Sequence, residues 1–386
     1  MGETVREELP TDERLPRAAV GLFSKKWYGI VSVAEICREA GLSNGVFYRY
    51  FDNKEALFRR IHERVLELIR EALEGVAGAT PRERLRSLAR IILDFSSDHP
   101  DLVSVFREGQ YRLFEYERRL VAIYERALAS ALGRGVELPE YLFALGGLRF
   151  CAIRKAFDGS PVRFDSAAAI LEGGLFRGLD FDPAVVFGGS AAPLPLPLDE
   201  GARGRLLRSG RRLFGGKGYF ETNIHEVTDG AGLSVGAFYT YFESKESFYA
   251  EIIAGVGHEV RAFISGNLGA GRPLNRLERE LRGLWLWLVY LSIDKDCYNI
   301  VREAEFVLPA AVRDYYGAFA AGYRKNPEGN AAPGSGVDGE TAIEFLLGVA
   351  HYLGIEAAFD ESPLASRAAV EAIGRYLSRG FSDYLG

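Results

Sequence analysis

The run AGLSNGVFYRYFDNKEALF at residues 40–58 decides the fold of this chain, because it returns as AGLSVGAFYTYFESKESFY at residues 231–249. The spacing is constant at 191 residues, from Gly41 over Gly232 to Lys54 over Lys245. Between Arg14 and Phe58, 19 of 45 positions are identical in the copy. Such register marks a duplicated supersecondary unit rather than chance.

Local signals define the unit. Val33, Ile36, Cys37 and Ala40 recur at i, i+3, i+4 and i+7 behind Ser32, an N-cap with Glu35 at capping-box spacing. This predicts a short amphipathic helix that ends in a left-handed Gly41, and Ser43 then caps a second helix over residues 44–51. Two helices joined by a tight glycine turn make a helix-turn-helix. On the second helix Phe47, Tyr50 and Phe51 are expected inward, with Gly45, Val46, Tyr48 and Arg49 outward. Glycine inside a helix costs about 1 kcal/mol relative to alanine, so Gly45 implies that another surface approaches the backbone there. A DNA major groove is such a surface. In the copy Phe238, Tyr241 and Phe242 take the inward places, and Gly236, Ala237, Tyr239 and Thr240 the outward ones.

Both runs resemble the DNA-binding signature of the tetracycline-repressor (TetR) family, approximately AGVSxGxxYxYFxxKExL. The resemblance covers the two heads; the remainder of each half is similar to the family in length and helicity. It implies an all-α chain: two units in tandem, each a helix-turn-helix head followed by a helical effector-binding and dimerisation bundle. It also implies a double-stranded DNA operator and a small apolar effector as partners. The DNA-facing set is then Ser32, Ser43, Asn44, Gly45, Val46, Tyr48, Arg49 and Lys54 in the first head. In the second it is Asn223, Ser234, Val235, Gly236, Ala237, Tyr239, Thr240 and Lys245. The resemblance gives Tyr48 and Tyr239 a DNA-backbone contact, and Lys54 and Lys245 a phosphate. A lysine at a helix N-terminus opposes the helix dipole, so an external anion is expected to explain it better than local stability. Asn44 and Val235 depart from the family, many members of which carry lysine there.

Composition is that of an ordinary globular chain: 386 residues, 48% hydrophobic, 26% charged. The net charge of −6 does not veto nucleic acid, because the acid lies outside the heads. Residues 10–60 hold 9 Lys/Arg against 6 Asp/Glu, and residues 202–250 hold 7 against 5, and local charge governs phosphate binding. Three separated cysteines, Cys37, Cys151 and Cys297, read as a reduced cytoplasmic protein. No signal peptide or membrane span is evident; the most apolar stretch, residues 284–293, falls short of the roughly 20 residues a bilayer requires.

The expected domains are a first head over residues 10–60, a first body over 61–181, a linker over 182–200, a second head over 201–250 and a second body over 251–386. Pro193, Pro195 and Pro197 favour an extended course in which about 18 residues at roughly 3.1 Å span on the order of 55 Å. Helical patterns cover residues 54–73, 82–97, 102–132 with a break near Phe114, 139–158 and 166–178. Ala358 to Asp360 with Ser362 and Pro363 echo Ala156 to Asp158 with Ser160 and Pro161, so the duplication extends to the last helices. Residues 326–339 are the expected flexible loop. In the resembled family the last two helices of each subunit form a four-helix bundle with a partner. Here residues 141–157 and 343–359 carry Gly146, Gly147, Gly348 and Gly354, which permit close approach, so the two halves of one chain are expected to pair.

Effector chemistry is less legible. Phe95, Phe106, Tyr111 and Phe114 in the first half, and Trp285, Trp287, Tyr290, Tyr298, Phe306, Tyr315, Tyr316 and Phe319 in the second, either line apolar pockets or form ordinary core. The best candidates are Phe95, Phe106, Tyr111, Trp285, Tyr298, Phe306 and Phe319. Arg107 and Glu108 recur as Arg302 and Glu303 at a spacing of 195, and are expected on a solvated helix face or in an interface salt bridge. His62, His99, His225, His258 and His351 are scattered, which suggests neither metal nor cofactor. Gly230, Gly232 and Gly236 follow a helix rather than a strand, so they are no dinucleotide fingerprint. The sequence thus points to a non-enzymatic, ligand-responsive regulator, most simply a repressor acting as a monomeric pseudo-dimer. The alternatives are a homodimer with one idle head per chain, an activator or architectural DNA binder, and a helical carrier or enzyme body. An effector would shift the helices that begin at Lys54 and Lys245 and so alter the spacing of the heads.

Overall fold

Capping signals set the helix boundaries in both copies. The computed structural model describes residues 10–189, 191, 199–269, 271–325, 331–359 and 367–385, and among the described residues there is no strand. The first half runs α1 (Thr11–Phe23), α2 (Val33–Glu39), α3 (Asn44–Tyr50), α4 (Lys54–Glu74), α5 (Pro81–Asp98), α6 (Pro100–Arg112), α7 (Glu115–Leu132), α8 (Leu138–Tyr141), α9 (Gly147–Asp158) and α10 (Phe164–Gly173). After a short α11 (Pro183–Phe187), the second half runs α12 (Ala202–Lys217), α13 (Ile224–Ala231), α14 (Val235–Tyr241), α15 (Lys245–Asn267), α16 (Arg276–Ile293), α17 (Asp296–Val307), α18 (Pro309–Arg324), α19 (Gly339–Phe359) and α20 (Arg367–Arg379). The expected break near Phe114 is the interval between α6 and α7. The tenth helix ends at Gly173, earlier than the pattern suggested, because Gly174 turns the chain at φ 74.

Two compact units result: Met1–Val76 with Asp94–Ala127, and Ala77–Leu93 with Leu128–Gly386. The first unit holds the first head. Its core comprises Leu15, Ala19, Phe23, Val31, Ile36, Phe47, Leu57, Phe58 and Ile61, and Val105 of α6 joins it. The body helix therefore closes the head's core, and each large side chain so buried contributes about 1.5–3 kcal/mol.

The second unit holds the second head and the closing helices of both halves. There α9 packs along α19, and α10 packs against both α19 and α20. Glycines set the approach: a Cβ on Gly147 would lie 2.5 Å from the Phe345 ring, and one on Gly348 would lie 2.5 Å from the Phe150 Cβ and 2.7 Å from the Gly146 carbonyl oxygen. Gly354 differs, facing Trp287 and Tyr298 of its own half. Polar groups along the seam are satisfied. Arg154 Nε pairs with Glu344 at 3.0 Å, the Ser160 hydroxyl donates to Glu344 at 2.8 Å, and the Thr341 hydroxyl oxygen accepts the Arg163 N–H at 2.9 Å. The buried segment Leu142–Gly146 between α8 and α9 is a π turn, which adds a residue to the helix without breaking it. Over Gly339–Ala358, α19 is long and apolar enough to cross a membrane, but 78% of it is buried inside this unit. Packing against α9 accounts for that apolarity.

The expected linker is corrected at its start. Pro183–Phe187 is helical, with the Asp182 side chain accepting the Ala184 N–H as N-cap. The Arg282 guanidinium gathers the carbonyls of Val185, Val186 and Gly188 at 3.2, 3.1 and 2.8 Å, and Phe187 meets Trp285 edge-on. Aspartate before proline is a helix-start signal, and here it outweighs the extended course inferred from the prolines downstream. Pro193, Pro195 and Pro197 lie outside the described residues, as do residues 326–330 of the expected loop and 360–366 of the C-terminal echo.

Candidate nucleic-acid interface

Each head is assembled from the same local devices. Ser32 and Glu35 form a reciprocal capping box on α2, and Asn223 and Glu226 form one on α13. Gly41 and Gly232 both adopt φ 66, the left-handed conformation that lets the chain leave one short helix and enter the next. Arg14 Nη2 donates to the Ala40 carbonyl at 2.7 Å, and Arg205 Nε donates to the matching Ala231 at 3.1 Å, so α1 and α12 each brace the turn. Ser234 caps α14 by accepting the Ala237 N–H. Ser43 has the N-cap backbone but its side chain accepts no cap bond, which corrects the expectation that it caps the second helix.

The recognition helices present the expected outward residues, with one correction. Phe47 and Phe238 are fully buried, and Tyr48 and Tyr239 are exposed. Asn44, Gly45 and Arg49 are also exposed, with Val46 half-buried; in the copy Gly236 and Thr240 are exposed, with Val235 and Ala237 half-buried. Ser32, Ser43, Asn223 and Ser234 lie exposed at the helix starts. Nothing crowds Gly45 or Gly236 beyond the serine hydroxyls at 4.0 and 3.7 Å, so the backbone there is open to approach. Tyr50 and Tyr241, expected inward, are 49% and 45% exposed. Each stands three residues, or about 300°, beyond its buried phenylalanine on a helix that ends there, which turns the ring to the shoulder of the outward face. Arg49 has no hydrogen bond or ion pair among the described residues, whereas the Thr240 hydroxyl donates to the Gly236 carbonyl at 3.2 Å.

Lys54 behaves differently from expectation. Its Nζ donates to the carbonyls of Tyr28 and Val31 at 2.7 Å each and lies 4.2 Å over the Tyr28 ring. Burial holds its pKa below the ordinary lysine value. Local stability therefore accounts for a lysine at this helix start, through orphan carbonyls that sequence spacing does not reveal. Lys245 sits 4.0 Å over the Tyr219 ring, with burial lowering its pKa as well.

Two carboxylates behind the heads take a role that the sequence did not reveal. Glu108 on α6 is 3% exposed and accepts the Tyr28 N–H at 2.9 Å. Glu303 on α17 is 5% exposed and accepts the Tyr219 N–H at 2.6 Å. Neither lies on a solvated helix face, which overturns that half of the expectation for Glu108 and Glu303. A buried N–H at the turn after α1 or α12 has no helical partner and requires an acceptor from elsewhere. Burial pushes the Glu108 carboxyl up to about 7, against the Tyr28 N–H and the Arg112 and Lys54 cations, which favour its charge. The available signal was a glutamate flanked by buried apolar residues, Val105 and Phe106 in one half and Ile300 and Val301 in the other.

The candidate effector aromatics are distributed among separate contacts. In the first unit Phe106 stacks on His62 at 5.2 Å and meets Tyr116 edge-on, Phe95 is buried beside His99, and Tyr111 is half-buried. In the second, Trp285 packs on Phe187, Phe319 on Tyr315, and Tyr298 between Trp287 and His351, while Phe306 is half-buried. The Tyr298 hydroxyl donates to the His351 carbonyl at 3.1 Å, which makes it a satisfied core group. Among the described residues no group of three or more His, Cys, Asp or Glu is placed to hold a metal ion.

The profile of the family described as "Bacterial regulatory proteins, tetR family" matches residues 16–61 and 206–252, one segment per head. The HTH-type transcriptional regulator BetI of Rhizobium meliloti (strain 1021) is 31% identical over 175 residues, which cover 44% of this chain and 76% of BetI. The HTH-type transcriptional regulator YerO of Bacillus subtilis (strain 168) is 26% identical over 138 residues, and the match spans 32% of this chain but only 48% of YerO's length. Among solved structures, the fatty acid degradation regulator FadR from Bacillus halodurans aligns with a TM-score of 0.40 at 13% identity, covering 45% of this chain and 93% of FadR.

Proposed function

The chain belongs to the tetR family of bacterial regulatory proteins, and from that premise we propose that it is a ligand-responsive repressor whose two heads, carried by one chain, read one operator. The observation that carries this reading is the seam of α9 on α19. Helices from different halves of the chain meet there through Gly147 and Gly348 at a distance that no larger residue permits, with Arg154, Ser160 and Glu344 satisfied across it. A surface already closed by the chain's other half leaves no need for a second chain at that position.

Tyr48, Arg49 and Asn44 on one head, and Tyr239, Thr240 and Val235 on the other, face the DNA in this reading. Arginine holds guanine through two parallel hydrogen bonds, whereas threonine offers one hydroxyl and a methyl. The half-sites therefore differ, and the operator is not a palindrome. An apolar effector bound among the body helices shifts α4 or α15 and releases the heads. Lys54 and Lys245, held over tyrosine rings, are placed to move with those helices, and their phosphate contact belongs to this proposal.

Light scattering on the free protein and selection from a randomised duplex pool test the reading together. A single chain of 42.6 kDa that selects a non-palindromic site is the expected result. A stable species of twice that mass on a palindrome would replace it with a homodimer in which one head per chain is idle.

A further inference from the structure

The turn that leaves α1 is fastened to the helix behind it by one residue. Tyr28 gives its N–H to Glu108 of α6 and its carbonyl to Lys54 of α4. The corresponding turn after α12 gives the Tyr219 N–H to Glu303 of α17. The surroundings of these bonds differ between the halves: Trp27 corresponds to Gly218, Gly109 to Ala304 and Arg112 to Val307. The carboxylate and the N–H remain. Each head is continuous with its body through α4 or α15 and also packs on it, through Val105 of α6 in the first half and through α12 along α17 in the second, where Asn299 donates to the Gly215 carbonyl at 3.1 Å. To that packing the carboxylate adds a directional bond at the turn itself.

We propose that Glu108 and Glu303 are head-positioning residues: each carboxylate, by accepting the backbone N–H of Tyr28 or Tyr219, holds its head at one angle on the helix behind it, and operator affinity depends on that angle. The affinity arm of this inference rests on the DNA-binding reading above; the positioning arm does not. What the bond needs is an oxygen at the right reach. A carboxylate, a neutral carboxylic acid and a primary amide all present one, so the latch holds whether or not Glu108 is ionised. Aspartate keeps the charge but withdraws the oxygen by about 1.5 Å, one carbon–carbon bond, which stretches a 2.9 Å contact past hydrogen-bonding range.

The test uses the full chain with Glu108→Asp, Glu108→Gln, Glu303→Asp and Glu303→Gln. Amide hydrogen exchange is read at Tyr28 and Tyr219, with Ile36 and Phe238 reporting the head cores. Affinity is measured on a duplex that the wild-type chain selects from a randomised pool, and on a random duplex of equal length. In each Asp variant the exchange of its own tyrosine amide should rise at least about tenfold while the core amides stay protected. Binding to the selected duplex should fall about five- to tenfold, within the range of ordinary coupling between sites, with random-duplex binding unchanged. The Gln variants should match wild type in both readouts. Gln loosening the tyrosine amide while Asp preserves it would mean that charge rather than reach is at work, and would overturn the proposal. So would unchanged exchange in both Asp variants, or a selected-duplex affinity indifferent to a loosened head. If wild type selects no sequence at all, the regulator reading fails, and exchange still decides the latch. If Glu108→Asp unfolds its unit, Glu303→Asp decides it in the other.

Discussion

Beside the first latch the imidazole of His62 presses its Nε2 corner on Gly109, so close that a Cβ on that glycine would sit 1.6 Å from Nε2. At the corresponding places of the second half stand Ile253 and Ala304, both fully buried. The two halves keep one hydrogen bond and fill the space around it in opposite ways: a polar ring against a glycine, or a branched aliphatic chain beside an alanine. Charge differs too, since Arg112 of α6 lies 4.7 Å from the Tyr28 ring where the second half has Val307. Duplicated joints can therefore hold a common geometry with unlike chemistry. The first titrates at its centre, through a histidine whose place in the copy is taken by isoleucine.

The largest expected effect tests whether the heads are separately stable. Phe47→Ala and Phe238→Ala each remove a fully buried ring and should destabilise their own head by about 3–5 kcal/mol. The loss should be greater at Phe238, whose ring meets Phe242 and Phe248 at 5.4 and 5.1 Å. Exchange-resolved denaturant melts would break the comparison if either substitution lowered both heads equally.

Next comes the pH dependence of the first joint. Glu108 has its folded pKa raised by burial from 4.5 to about 7. Its contribution is therefore fully present below about 4.5 and is lost as pH rises through about 7, an effect of up to about 3 kcal/mol. His62 is shifted the other way by burial, so its contribution is present above its ordinary value near 6.5 and is lost as pH falls. Glu108→Gln should leave the first unit losing stability on acidification, through His62 and through carboxylates such as Glu35 and Glu63 whose partners hold their pKa values down, while wild type shows an opposing trend from Glu108. Denaturant melts followed at Trp27, with Trp285 and Trp287 changed to Phe, measure this. A Gln variant whose pH dependence matches that of wild type would remove Glu108 from the account.

Steric transplantation is a smaller test. Gly109→Ala should cost about 1–3 kcal/mol through overpacking against His62. The double change Gly109→Ala with His62→Ile should recover most of it, because it installs the second half's pair in the first. A double-mutant cycle showing simple additivity would mean that the two positions do not share the same space.

The smallest effect lies on the DNA. Arg49→Ala should cost about tenfold at one base position of one half-site, and Thr240→Ala less than that in the other, because the Thr240 hydroxyl already donates to Gly236. Equal losses on random and selected duplexes would take Arg49 out of base readout.

Sequence alone determined the helix-turn-helix in both copies, because capping boxes, left-handed glycines and periodic apolar residues are local interactions that spacing encodes. It also determined which residues of the second helix face outward, except at Tyr50 and Tyr241, where the helix stops too early for periodicity to hold. Only the tertiary structure decided that Lys54 closes orphan carbonyls, that Arg282 folds the start of the linker into a helix, and that Glu108 and Glu303 are buried. Each of these is a polar group meeting a backbone group 23 to 97 residues away. A sequence pattern records which side chains are apolar; it does not record which main-chain N–H or carbonyl the fold will leave in need of a partner.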